Sequence, residues 1–154
     1  MTLEFDIRIA AKDAPEIILE RLLKSVNLDV VIQNTSQENM NSVYKAVCPS
    51  FVAYAHDVRG DKQPVLKLGI AATVCIALIT HGQQSIATDL VATRMCLSWL
   101  EWTEDDLAFL FEGEIVHLYR KDNRIIVNSA DDVWIPEHLA LVKLPYTTEK
   151  IGVL

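Results

Sequence analysis

Cysteine is scarce in this 154-residue chain: Cys48, Cys75 and Cys96 are the three present, and no two stand as a CxxC pair. Their number and scatter exclude a disulfide-stapled scaffold and a cysteine-ligated zinc site. Glycine and proline are equally sparse, five of each, which excludes collagen-like and low-complexity sequence. Positive charge is in deficit. Fourteen Lys and Arg stand against twenty-one Asp and Glu, for a net charge of −7. Such a chain repels phosphate, so no direct nucleic-acid partner is expected. Long apolar runs are missing as well: the longest uncharged one, Leu68 to Thr80, has thirteen residues, against about 20 for a helix that crosses a bilayer. The opening Met1-Thr2-Leu3-Glu4-Phe5-Asp6 is acidic and alternating, unlike the basic start of a secretory signal. A cytoplasmic protein with reduced thiols is the expectation. The phosphate-cradle patterns GxxxxGKS/T and GxGxxG, the nucleophile elbow GxSxG and the metalloprotease pattern HExxH are all absent.

What is present is a core. Hydrophobic residues make up 51% of the chain and charged residues 23%, and a chain of this size buries roughly 70% of its extended surface on folding. No linker or internal repeat interrupts it, so residues 1–154 read as one domain. Leu3, Phe5, Ile7 and Ile9 alternate with Glu4, Asp6 and Arg8, the pattern of a strand with one wet face. Asp13-Ala14-Pro15-Glu16 then reads as a capping-box start. The helix it opens has Ile18, Leu19, Leu22, Leu23 and Val26 on one stripe and ends at Asn27.

Beyond that helix the pattern predicts a short strand over 28–32, a polar loop over 33–42, and strands over 43–48 and 51–58. A turn at Arg59-Gly60-Asp61-Lys62 leads into a long apolar strand over 65–80. A second helix follows over 84–103. Strands over 107–111, 115–120 and 124–128 form an antiparallel meander, joined at Glu112-Gly113-Glu114 and Lys121-Asp122-Asn123. After Asp131-Asp132, Pro136 opens one helical turn, and an irregular tail begins at Leu144-Pro145-Tyr146. The fold class is α+β: an antiparallel or mixed sheet of about six to seven strands, with two main helices packed on one face.

No constellation in the sequence commits to chemistry. Cys75, His117 and Asp106 are of the types that make a nucleophilic triad, but Cys75 and Cys96 sit in apolar surroundings that suit small hydrophobes. No catalytic residue, cofactor or metal is assigned, and the chain is expected not to be an enzyme. The second helix is more informative. Its inward stripe is Ile86, Leu90, Thr93, Leu97 and Leu100, yet the opposite side carries Val91, Met95, Trp99 and Trp102. Either the chain itself covers those side chains or another protein does. Trp and Met are enriched at interface centres. Between Met95 and Tyr119 stand six acids and no Lys or Arg, and negative charge steers a basic partner to its seat. The candidate partner-binding residues are therefore Met95, Trp99, Trp102, Glu101, Glu104, Asp105, Asp106, Glu112 and Glu114.

Several segments resemble the Sit-type (swarming-inhibition) immunity proteins of bacterial polymorphic toxin systems. These are Leu3 to Ala10 with the following helix, the meander from Asp106 to Asn128, and the tail Trp134-Ile135-Pro136-Glu137-His138-Leu139-Ala140-Leu141-Val142-Lys143-Leu144-Pro145-Tyr146, closing with Val153-Leu154. The tail is the most specific of them, and residues 27–66 fall outside the resemblance. It implies a non-catalytic neutraliser of a cognate protein toxin, with no catalytic residues to carry over. Two other readings stand beside it: a homodimeric structural or adaptor module with Trp99 and Trp102 in a self-complementary patch, and a small-molecule-binding α+β domain with a deep polar pocket.

Overall fold

Strand β1 (Glu4–Ile9) takes the middle of the sheet, because both of its faces have something to bury. The computed structural model describes residues 2–35, 42–130, 134 and 136–154. In chain order β1 is followed by α1 (Pro15–Ser25), β2 (Ile32–Asn34), β3 (Val43–Val47), β4 (Phe51–Asp57), a 3-10 turn (Pro64–Leu68) and β5 (Val74–Thr80). Then come α2 (Ser85–Trp102), β6 (Leu107–Phe111), β7 (Ile115–Lys121), β8 (Arg124–Asn128), α3 (Pro136–Leu139) and β9 (Tyr146–Glu149). All nine strands join one sheet in the order β2-β3-β4-β5-β1-β6-β7-β8-β9. Every pairing is antiparallel except β8 with β9, which is parallel.

The α+β class and the mixed sheet stand, but the strand number is corrected upward to nine among the described residues. The strand that no expected segment covers is β9. Tyr146-Thr147-Thr148-Glu149 is exposed throughout, so it has no hydrophobic alternation, and backbone pairing to β8 holds it in place. Strand β2 begins at Ile32, four residues after the expected start, and so takes Gln33 and Asn34 out of the expected loop. The rest of that loop, residues 36–41, lies outside the described residues, as do 131–133 and Ile135. The long apolar strand expected over 65–80 is also corrected. Its first part coils into the 3-10 turn, which Gly69 ends at φ +77°, and pairing resumes only at Val74. Glycine suits that left-handed backbone because it has no Cβ to clash.

Helix α1 starts at Pro15, with Ala14 as its N-cap and no side-chain cap, so Asp13 does not make the expected capping box. Proline at the first position sets φ for the helix and gives up an N–H that would have been unpaired anyway. Asn27 closes the turn beyond the helix at φ +58°. Ile18, Leu19, Leu22 and Leu23 are buried against β4 and β5, while α2 lies over β5 and β1 and packs on α1. Both substantial helices thus cover the face that presents Phe5, Ile7, Ile9, Val74, Ile76 and Phe109.

The other face carries a second, smaller core. Cys75, Ala77, Ala108, Leu110 and Val116 are covered there by Val58, Val65, Ile70 and Ala72 of the β4–β5 connection and by Ile151 and Leu154 of the tail. The Gln63 amide ties that connection shut, its Nε2 donating to the Val58 and Ala72 carbonyls at 2.9 and 3.0 Å. Consequently the wet face expected for β1 is not wet: Asp6 is 1% exposed. Thr73 locks the far end of β1. Its hydroxyl accepts the Ala11 N–H at 3.0 Å and donates toward the Ala11 carbonyl at 2.7 Å. Thr73→Val keeps the shape and strands both backbone groups, so urea unfolding should show a loss of about 1–3 kcal/mol.

Candidate functional site

The C-terminal end of α2 assembles most of the residues singled out in the sequence. The inside and outside of this helix are not where a single stripe puts them. Ala92, Met95, Cys96 and Trp99 are fully buried, whereas Ile86, expected inward, is 79% exposed. The cause is that α2 is covered on two sides, by the sheet and by α1, while Leu97 and Leu100 also meet Ile125, Val142 and Leu144. The chain itself therefore covers Met95 and Trp99, which are core residues and leave the candidate surface, including any self-complementary patch. Trp99 Nε1 donates to Asp105 Oδ2 at 3.1 Å, which satisfies its one polar atom in the interior.

Trp102 is different. It is 47% exposed, and the Arg21 guanidinium of α1 stands 5.5 Å from the centroids of both the Trp99 and Trp102 rings. That cation–π contact fixes the exposed indole at its inner side. Ile17, also exposed, lies one helical turn before Arg21 on the same side of α1. Arg21 thus joins the exposed Trp102 ring to the side of α1 that carries Ile17.

The six acids do not form one field. Arg120 and Lys121, which follow the acidic stretch in sequence, fold back onto it. Arg120 is 3% exposed and donates to the Asp105 carbonyl (2.8 Å), the Leu100 carbonyl (2.8 Å) and Thr103 Oγ1 (3.2 Å). Lys121 Nζ meets Asp106 Oδ2 at 2.8 Å, and the Asp122 N–H donates to Asp106 Oδ1 at 2.9 Å. These bonds, with that to Asp122, hold the Lys121 ammonium above its ordinary range. Asp105 and Asp106 are thus structural, and Glu101 and Glu104 remain exposed beside Trp102. Glu112 and Glu114 stand at the opposite end of β6, roughly 13 Å away at about 3.3 Å per strand residue.

At that far end lies a polar corner which the sequence reading missed. Glu4, Asp6 and Arg8 share the helix-free face. Asp6 Oδ2 reaches Arg8 at 3.5 Å, and two buried atoms of this pair, the acceptor Asp6 Oδ1 and the donor Arg8 Nε, have no hydrogen-bond partner. Burial foremost, then hydrogen bonding and like charge from Glu4, push the Asp6 carboxyl up to about 7. The period-two pattern itself hid this residue, since alternation says which face a side chain takes and not what covers that face.

The thiols are poor nucleophiles. Burial pushes Cys48 up to about 11 and moves Cys75 and Cys96 further up, so none is an activated thiolate. The Cys75, His117 and Asp106 set does not come together. Cys75 lies in the helix-free core, while His117, the extra residue of a bulge in β7, stacks on Phe109 at 4.8 Å in the helix-side core. Among the described residues no group of three or more His, Cys, Asp and Glu could hold a metal ion. A groove of about 230 Å³ runs between α1 and residues 28–32, lined by Glu16, Glu20, Leu23, Lys24, Leu28 and Val30 among others. That volume is under the usual range of small-molecule sites.

A family model described as SitI3-like matches residues 3–138. The chain belongs to the SitI3-like family. The match takes in residues 27–66 of this SitI3-like chain, which the resemblance to Sit-type proteins had left out. It stops at His138, so the Leu-Pro-Tyr part of the tail lies beyond it. No curated protein and no solved structure matches the chain. His138 itself closes α3 onto α2, its Nδ1 standing 3.5 Å from Asp89 Oδ2. Among the described residues no helix is long and apolar enough to cross a membrane.

Proposed function

We propose that this SitI3-like protein is a cytoplasmic immunity protein that binds a cognate bacterial polymorphic toxin and neutralises it by protein–protein contact, without catalysing a reaction. Family membership supports a protein toxin as partner in general. The observation that carries the surface is Trp102, a half-exposed indole held by Arg21 beside exposed Glu101 and Glu104. Aromatic anchors of this kind concentrate binding energy, and flanking acids speed capture of a basic partner. The buried, weakly acidic thiols are consistent with a molecule that works by occupancy.

Coexpression with the toxin encoded by the adjacent gene, followed by pull-down and titration, tests this reading. The expected result is a complex that survives purification. Trp102→Ala should weaken it by about thirtyfold, the effect of a loss of about 2 kcal/mol, with stability changed by less than about 1 kcal/mol because the ring is half in water. Absence of a complex at micromolar concentration overturns the proposal. Wild-type affinity in Trp102→Ala moves the contact surface elsewhere.

A further inference from the structure

Strand β9 is an open edge of the sheet. Its four residues, Tyr146 to Glu149, are all exposed, and so is Lys150 after them. Edge strands are ordinarily kept from pairing with other chains by a lysine, a proline, a bulge or a covering segment. Within β9 there is no Lys and no Pro, and its pairing with β8 runs without a bulge. The opposite edge, β2, is one residue shorter and offers less backbone.

The backbone groups of β9 divide by parity. The Ser129 N–H donates to the Glu149 carbonyl at 2.8 Å, and the Ile151 N–H donates to Asn128 Oδ1 at 3.1 Å. Residues 149 and 151 therefore turn their backbone toward β8, and in a regular parallel ladder residue 147 does the same. Tyr146, Thr148 and Lys150 turn theirs away from the sheet. Outward residues are the ones that form hydrogen-bonded pairs when an antiparallel strand is added. Against a second β9, the register centred on Thr148 uses all three. The two Thr148 residues exchange both N–H···O bonds, Tyr146 faces Lys150 of the other copy, and Thr147 faces its Glu149. Each ammonium then meets an aromatic ring, and each carboxylate a hydroxyl donor. The neighbouring registers are worse. Centring on Glu149 sets two like charges directly opposite, which is unfavourable. Centring on Thr147 leaves Glu149 and Lys150 facing Pro145 and Leu144, beyond the partner strand.

We propose that β9 is a self-association edge: two copies of this chain pair β9 antiparallel about a two-fold axis at Thr148, and their sheets run on as one. The proposal stands independently of the toxin-binding reading. A second copy is the occupant because this edge answers its own side chains and sets no charge opposite its like, the self-complementarity that an isologous contact requires. The paired segment is short and falls at the small end of specific interfaces, so association is weak. Trp102, on α2, takes no part, and a dimer presents that indole twice.

Sedimentation velocity of the full chain over a concentration series tests this. The unaltered protein should pass from monomer to dimer with a dissociation constant of about 10–100 µM. Thr148→Lys and Thr148→Glu each place like charges opposite one another at the axis, and each should weaken the dimer about fivefold at low salt. Mixed one to one, Lys faces Glu, and the mixture should dimerise at least as well as the unaltered protein. Thr148 is exposed, so both variants should melt within about 2 °C of it. An unaltered protein that stays monomeric to about 500 µM overturns the proposal. So does a dimer that both variants leave unchanged, which places the contact on another surface. A mixture that associates no better than either variant alone overturns the two-fold register and the proposal with it.

Discussion

Arg120→Met should destabilise the protein by about 3–5 kcal/mol, the range for removing one partner of a buried charged network. Three acceptors depend on this guanidinium: the Leu100 and Asp105 carbonyls and Thr103 Oγ1. Met fills much of the volume and donates nothing, so it leaves two carbonyls at the end of α2 without a donor. Arg120→Lys should fail to restore them, because one ammonium cannot reach three acceptors arranged around a planar fork. Urea denaturation checks both variants, with the midpoint falling and the slope unchanged. For a chain of this length the melting temperature should fall by roughly 10 °C. A loss below about 1 kcal/mol would mean that Arg120 does not hold the end of α2. The consequence reaches the binding surface. Asp105 also accepts from Trp99, and Trp99 shares Arg21 with Trp102. Loosening Arg120 therefore removes order from the exposed indole as well as stability from the core.

The two helices, the meander and the single turn at Pro136 were legible because each is a local matter of period, turn residues and proline. β6, β7 and β8 lie where alternation and the Glu112-Gly113-Glu114 and Lys121-Asp122-Asn123 turns put them, to within one residue. What was not legible depends on partners distant in sequence. β9 exists through pairing with β8, and nothing in Tyr146-Thr147-Thr148-Glu149 announces it. Ile86 and Met95 exchanged places because the burial of α2 is decided by α1 and the tail as well as by the sheet. The acidic stretch was read along one dimension. In the structure Arg120 and Lys121 return onto Asp105 and Asp106, leaving Glu101 and Glu104 at one end and Glu112 and Glu114 at the other. Trp102 was legible as an aromatic on the wrong side of a helix, whereas Asp6 needed the covering loop and tail to be seen.

Asp6→Asn should make the protein more stable than the unaltered chain at pH 8, with the difference shrinking as pH falls. The folded-state pKa of Asp6, about 7, lies above its ordinary value of 3.8. The native state therefore holds this proton more tightly than the unfolded chain does. The stability it contributes is fully present below about pH 4 and is lost as pH rises through 7. Above that the native protein carries an ionised, buried carboxylate that Arg8 answers at a single oxygen. A shift of this size corresponds to the order of 4 kcal/mol across the window. Asn has the same shape and no charge to desolvate, so its variant should lack the decline. Denaturant unfolding at pH 5, 6, 7 and 8 checks this, and parallel curves for the two proteins would remove Asp6 as the titrating group. Glu4→Gln supplies the second arm. Taking away that like charge lowers the folded-state pKa of Asp6, so the decline should begin at the same pH as in the unaltered protein but end at lower pH and be smaller, while its direction stays the same.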